Sequence, residues 1–241
     1  MPQFGYQTLG FGGGASEVKY GPPAVDATSV DTDATGATSQ TLSHTVGTGV
    51  GRALIVGIMQ TNTTGGGSPA LPSGVTYDGT AMTRLGFFSD QDYEHLRGSI
   101  WYLVAPASGT ANIVASFSAT TGGASSVRAI SVTGVKQESF ITAQQVATHN
   151  IGSNTSTGAT LTGLTAGQLV IDFIAIGDGD ATPPSSLAHT SSVGTVIGAT
   201  ESLHGGRYVA SGGSSQALAW DWTGGSNHVW MSLKLNSDVY S

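Results

Sequence analysis

Apolar residues in this chain fall in short runs cut by Gly, Pro, Asn and Asp, and no window sustains the 3.6-residue period of an amphipathic helix. Residues 99–135, SIWYLVAPASGTANIVASFSATTGGASSVRAISVTGV, hold three apolar runs separated by two turn signals. Residues 217–236, ALAWDWTGGSNHVWMSLKLN, repeat the order of apolar strand, Gly-rich turn and apolar strand. The run at 54–59 is apolar at every position, as expected of a central strand covered on both faces. VTYDGTAM at 75–82 predicts a hairpin turning at Asp78-Gly79, followed by strands at 83–88 and 100–104. Ile113, Ala115 and Phe117 alternate with Asn112, Val114 and Ser116, and Ile130 with Val132 marks a return strand. Val229, Met231, Leu233 and Leu235 alternate with His228, Trp230, Ser232 and Lys234, which predicts a strand with one face buried.

The remaining segments are more polar. The first strand is expected at Thr41 and 44–46, after a Ser/Thr/Ala-rich lead-in. SDQDYEHLRG at 89–98 reads as an exposed loop, and 136–157 as a long connection with a short edge strand at 140–146. Further strands are expected at 193–197 and 207–210. Leu169, Ile171 and Phe173 match Leu54, Val56 and Ile58 at an offset of 115 residues, and Met231 and Leu233 match Ile130 and Val132 at an offset of 101. The expectation is an all-β, antiparallel two-sheet β-sandwich of jelly-roll-like topology over residues 24–241, built from similar halves at about 40–136 and 158–236. Two separate small sandwiches are the alternative.

Residues 1–23 differ from the rest: Phe4, Tyr6, Leu9 and Phe11 are interleaved with glycines and closed by Pro22 and Pro23. Such a segment has too few apolar side chains to bury itself, so it is expected to dock on a neighbouring subunit in preference to its own domain. MPQFGYQTLGFGGG has neither a basic start nor a continuous apolar core and does not read as a secretion signal. No run approaches the roughly 20 apolar residues of a membrane helix, and membrane insertion is not expected. A net charge of -7 with only eight Lys plus Arg offers no basic surface for nucleic acid. The absence of cysteine removes disulfides, thiolate nucleophiles and Cys metal sites together.

Candidate chemistry is sparse. Asp90, Asp92, Glu94, His95 and Arg97 share the charged loop, where two or three carboxylates could hold a hard cation or do acid–base work but more simply give a low-charge protein its solvation. Asp178 and Asp180, with Asp172 upstream, have turn spacing that weakly fits Ca²⁺, as do Asp26, Asp31 and Asp33. The six histidines, at 44, 95, 149, 189, 204 and 228, show no ligand spacing. No G-x-S-x-G elbow is present, and the strand-borne acids Asp172 and Asp221, the pair a sandwich glycosidase would need, are expected to face solvent. Leu218, Trp220 and Trp222 share a face and read as core, whereas Trp230 is the candidate for an exposed sugar platform or interface anchor. Neither cofactor nor catalytic residue is expected.

MPQFGYQTLGFG resembles the starts of phage virion proteins. The succession RALIVGI, VTYDGTAMTRLG, IWYLVAPASGTANIVASFS, AISVTGV and GQLVIDFIAI is similar to a β-sandwich module of phage structural proteins and bacterial surface proteins. The resemblance spans about residues 40–236 and rests on packing motifs, so it implies fold before function. It implies a non-enzymatic virion component, a head decoration, fibre or tail-surface protein. Such a protein would be docked through its arm onto capsid or tail proteins, oligomeric, and adhesive toward a host-surface glycan, with loops 61–74, 89–98 and 178–186 outward. The alternative is a carbohydrate-binding module of a secreted or surface protein; a polysaccharide hydrolase using the acidic loop ranks third.

Overall fold

The computed structural model describes residues 22–33, 36–61, 69–89, 96–118, 123–139, 141–165, 168–177, 185–186, 190–197, 201–209 and 215–236, and among these every regular element is a β-strand. The first half contains β1 (Ala24–Asp33), β2 (Ser39–Val46), β3 (Ala53–Thr61), β4 (Pro72–Tyr77), β5 (Thr80–Ala81), β6 (Thr83–Ser89), β7 (Leu96–Val104), β8 (Gly109–Phe117) and β9 (Ser125–Thr133). The second contains β10 (Ile141–Thr162), β11 (Leu169–Gly177), β12 (Ser185–Ser186), β13 (Thr190–Ile197), β14 (Glu201–Val209) and β15 (Ser215–Leu235). All pairings are antiparallel. They form a five-stranded sheet in the order β1-β9-β3-β7-β6, a small sheet β2-β8-β4-β5 and a large sheet β10-β15-β11-β14-β13, with β12 added to β15. The two large sheets pack against each other, so the expected β-sandwich is present.

The five-stranded sheet is the middle layer, and this explains the two-sided apolar run of β3. Leu54, Val56 and Ile58 point to the small sheet, where Leu42, Val46, Val75, Tyr77, Ile113, Ala115 and Phe117 meet them. Ala53, Ile55 and Met59 point the other way, onto Leu169, Ile171, Phe173, Met231 and Leu233 of the second half. Each fully buried aliphatic side chain contributes about 1.5–3 kcal/mol. The outer small sheet has only one covered face, so β2 alternates exposed and buried along its length. The β4–β5 hairpin turns at Asp78 (φ 49°) and Gly79 (φ 74°), two left-handed residues as a twisted two-residue turn requires.

The second half repeats the first strand for strand. The order β1-β9-β3-β7-β6 returns as β10-β15-β11-β14-β13, each strand replaced by the one holding its place in the later half. Ala53 pairs with Val104 and Val132, and Leu169 with Val209 and Leu235, so Ala53 and Leu169 are equivalent. The offset is therefore 116, not the expected 115. One residue matters because it exchanges the two faces of a strand: the equivalent of Val56 is Asp172, and that of Gly57 is Phe173. On β9 and β15 the equivalent of Ile130 is Leu233 by the same pairing.

Four further expectations change. Residues 24–33, expected as a polar lead-in, form the edge strand β1 on β9. Residues 141–162, expected as a connection with a short edge strand, form one long strand, and the expected Gly-rich turn inside 217–236 is spanned by β15. These two strands pair along their lengths with register breaks between Ala147 and Ser156. Residues 156–162 of β10 and 215–221 of β15 thereby take the places of β2 and β8, and β12 that of β4. The folded-over ends cover a third core of Leu161, Leu164, Val170, Ile174, Ile176, Trp220 and Trp230. Finally, residues 96–98 of the expected loop belong to β7, with Leu96 1% exposed.

The halves face each other about an approximate two-fold axis. β1 lies against β13, β9 against β14, β3 against β11, β7 against β15 and β6 against β10, so each strand meets the counterpart of its own mirror position. Gly57 and Phe173, equivalent positions, meet at that axis: a Cβ on Gly57 would lie 2.5 Å from the Phe173 ring.

Candidate functional site

Two polar clusters, one buried and one half-buried at a sheet edge, carry most of the described chemistry, and each braces a layer. On β11, Asp172 is 1% exposed and its Oδ2 accepts hydrogen bonds from Trp220 Nε1 at 2.7 Å and Trp230 Nε1 at 3.0 Å. Trp230 is 0% exposed, which corrects the expectation of an exposed platform there, and Asp172 does not face solvent as expected. The alternation on β15 is real, but both faces of the strand are covered, one by the first half and the other by the folded-over ends of β10 and β15. Trp220 is core, as expected. His228, on the same face of β15 as Trp230, is 2% exposed.

The other cluster closes the edge of the first sandwich between β1 and β2. His44 Nδ1 shares a hydrogen bond with Ser29 Oγ at 2.9 Å. Asp26 Oδ2 accepts from Ser131 Oγ at 3.0 Å and Gly47 N at 2.7 Å. The residue types are those of a hydrolytic triad, but Asp26 orients Ser131 and the Gly47 amide, not His44, and His44 is 1% exposed. Burial lowers the His44 imidazole to about 4, opposed in part by Asp26, so it is neutral near pH 7. At the opposite end of the same core Ser125 Oγ donates to Gln40 Oε1 at 2.9 Å. Arg128, 3% exposed on the face toward the second half, is lowered by burial to about 10 and stays cationic at neutral pH.

Exposed polar groups gather on the outer face of the small sheet. β2 places Thr41, Ser43 and Thr45 there and β8 places Thr110 and Asn112, with Thr45 Oγ1 and Thr110 Oγ1 2.7 Å apart. Beside them an open concavity of about 460 Å³ is lined by Thr76, Asp78, Gly79, Thr110, Ala111, Asn112 and Val114. Hydroxyl, amide and carboxylate groups on a rigid sheet suit the hydroxyl pattern of a sugar. The signal for this face was the outward phase of β8, where Asn112, Val114 and Ser116 alternate with core residues.

Phe4, Tyr6, Leu9 and Phe11 lie outside the described residues, as do Asp90, Asp92, Glu94, His95, His189, Asp178 and Asp180. The side chains of Asp33, His149, His204, Asp221 and Trp222 are likewise outside the description. Among the described residues no three His, Asp or Glu side chains converge as a metal site would require, and no helix is long and apolar enough to cross a membrane. Comparison with family models, curated proteins and solved structures finds no match.

Proposed function

We propose that the protein is a non-enzymatic structural component of a virion exterior, a capsid decoration, fibre or tail-surface protein held by its aromatic arm and adhesive toward glycans. The observation that supports this reading most is the duplication. One sheet order is used twice and its two copies are locked face to face through an apolar interface, giving a block in which buried Asp172 and His44 brace the layers and whose outer sheet presents hydroxyl and amide groups. The concavity at Thr76, Asp78, Thr110 and Asn112 favours a second reading, a carbohydrate-binding module of a secreted or surface protein. Deletion of residues 2–14 separates the two. The expected result is a folded, soluble protein that no longer joins particles, measured by quantifying it in purified virions; undiminished incorporation overturns the proposal.

A further inference from the structure

The face of the five-stranded sheet that the small sheet covers over β9, β3 and β7 continues onto the edge strand β6. There Phe87 is 54% exposed, the one exposed aromatic among the described residues. Register places Arg84 opposite Trp101, Phe87 opposite Ser99, and Ser89 opposite Arg97, all on this face. Trp101 is fixed from below: it is 6% exposed and its Nε1 donates to Ser99 Oγ at 3.0 Å. The Arg84 guanidinium lies 5.8 Å from the Trp101 ring centroid and 6.0 Å from that of Phe87, held by two aromatic faces. Among the described residues no acceptor meets its N–H groups. Arg97 Nη1 donates to Pro69 O at 3.3 Å, which keeps a second cation on the same face. Two of the chain's eight Lys and Arg thus share one sheet edge with Phe87, in a protein of net charge -7.

We infer that this strip is a binding site for an acidic sugar. A guanidinium held by ring contacts, with no acceptor on it among the described residues, presents its N–H fork to a carboxylate, which it takes through two parallel hydrogen bonds. The adjacent Phe87 ring offers a flat apolar surface for the C–H face of a pyranose. One exposed site of this kind binds weakly, and repetition over many copies on a particle supplies avidity. The inference rests on the adhesive part of the proposed function alone, not on the arm or on the particle.

The test uses the purified full-length chain, so its failure is distinct from a failure of particle docking. Tetragalacturonate and its methyl ester, which keeps the ring and removes the charge, are titrated by calorimetry. The acid is expected to bind about tenfold more tightly than the ester, and Arg84→Gln and Phe87→Ala each to lose about tenfold, a step equal to 1.4 kcal/mol. Asn112→Ala, in the outer concavity, is expected to bind like the wild type, and thermal melts check that every variant is folded. Equal binding of acid and ester, or binding that survives both Arg84→Gln and Phe87→Ala, overturns the site. Failure to bind tetragalacturonate, oligoglucuronate and a sialylated trisaccharide alike overturns it too, whether or not a sulfated galactan binds in their place.

Discussion

His44 ties folding to pH through one buried ring. Its imidazole is about 4 in the folded protein against 6.5 for the ordinary group, so the unfolded chain takes up a proton that the folded chain refuses. Above pH 6.5 neither state is protonated and the contribution is constant. As pH falls from 6.5 to about 4 stability is lost, on the order of 3 kcal/mol in all, and below that both states carry the proton. His44→Gln removes this slope, so urea midpoints at neutral pH and near pH 5 should differ less in the variant than in the wild type; equal losses would disprove the linkage. Asp172 makes the complementary case. Asp172→Leu leaves two buried indole N–H groups without their acceptor and is expected to cost about 2–5 kcal/mol, while Asp172→Asn, which keeps a carbonyl oxygen, costs less. Urea denaturation measures both. An acid inside LVIDFIAI is visible in the sequence as an anomaly. Its partners, 48 and 58 positions away, are not, because hydrogen bonding between strands depends on which faces the layers bring together.

Strands with a strong apolar phase were legible: β3, the β4–β5 hairpin, β7, β8 and β9 all fall where alternation or a two-sided run predicts them. β1 was not, and of β10 only its beginning was, as the edge strand expected at 140–146; the reason is shared. Both are edge strands of large sheets, each paired along one side only, so their sequences, AVDATSVDTD and ITAQQVATHNIGSNTSTGATLT, carry little apolar signal. Their partners are distant, since β1 pairs with β9 across about a hundred residues. The repeat between halves was visible as similar apolar runs but aligned one residue out. Period-2 patterns fit equally well at neighbouring offsets when a run is apolar on both faces, and only the pairing register selects 116.

As a whole, the molecule resembles a two-fold dimer joined in one chain, and its axis imposes a constraint that neither half carries alone. At an exact axis a residue meets its own copy. Two phenylalanines at positions 57 and 173 would collide and two glycines would leave a void, so the chain uses one of each. Gly57→Ala is expected to destabilise by about 1–3 kcal/mol. Phe173→Leu in the same protein should recover part of that loss, and a double-mutant cycle by urea denaturation that gives no coupling would contradict the contact. The sequence by itself determined the all-β class, the central two-sided strand, the tight Asp78-Gly79 turn and the duplication, because these follow from local period and turn chemistry. The tertiary structure alone decided which residues are exposed. Trp230 and Asp172 lie on a face that alternation marks as distinct from the core face, and stacking a further layer over that face turned an expected platform into a buried brace. Arg84 and Phe87 became a surface for the opposite reason: the small sheet ends before it reaches β6.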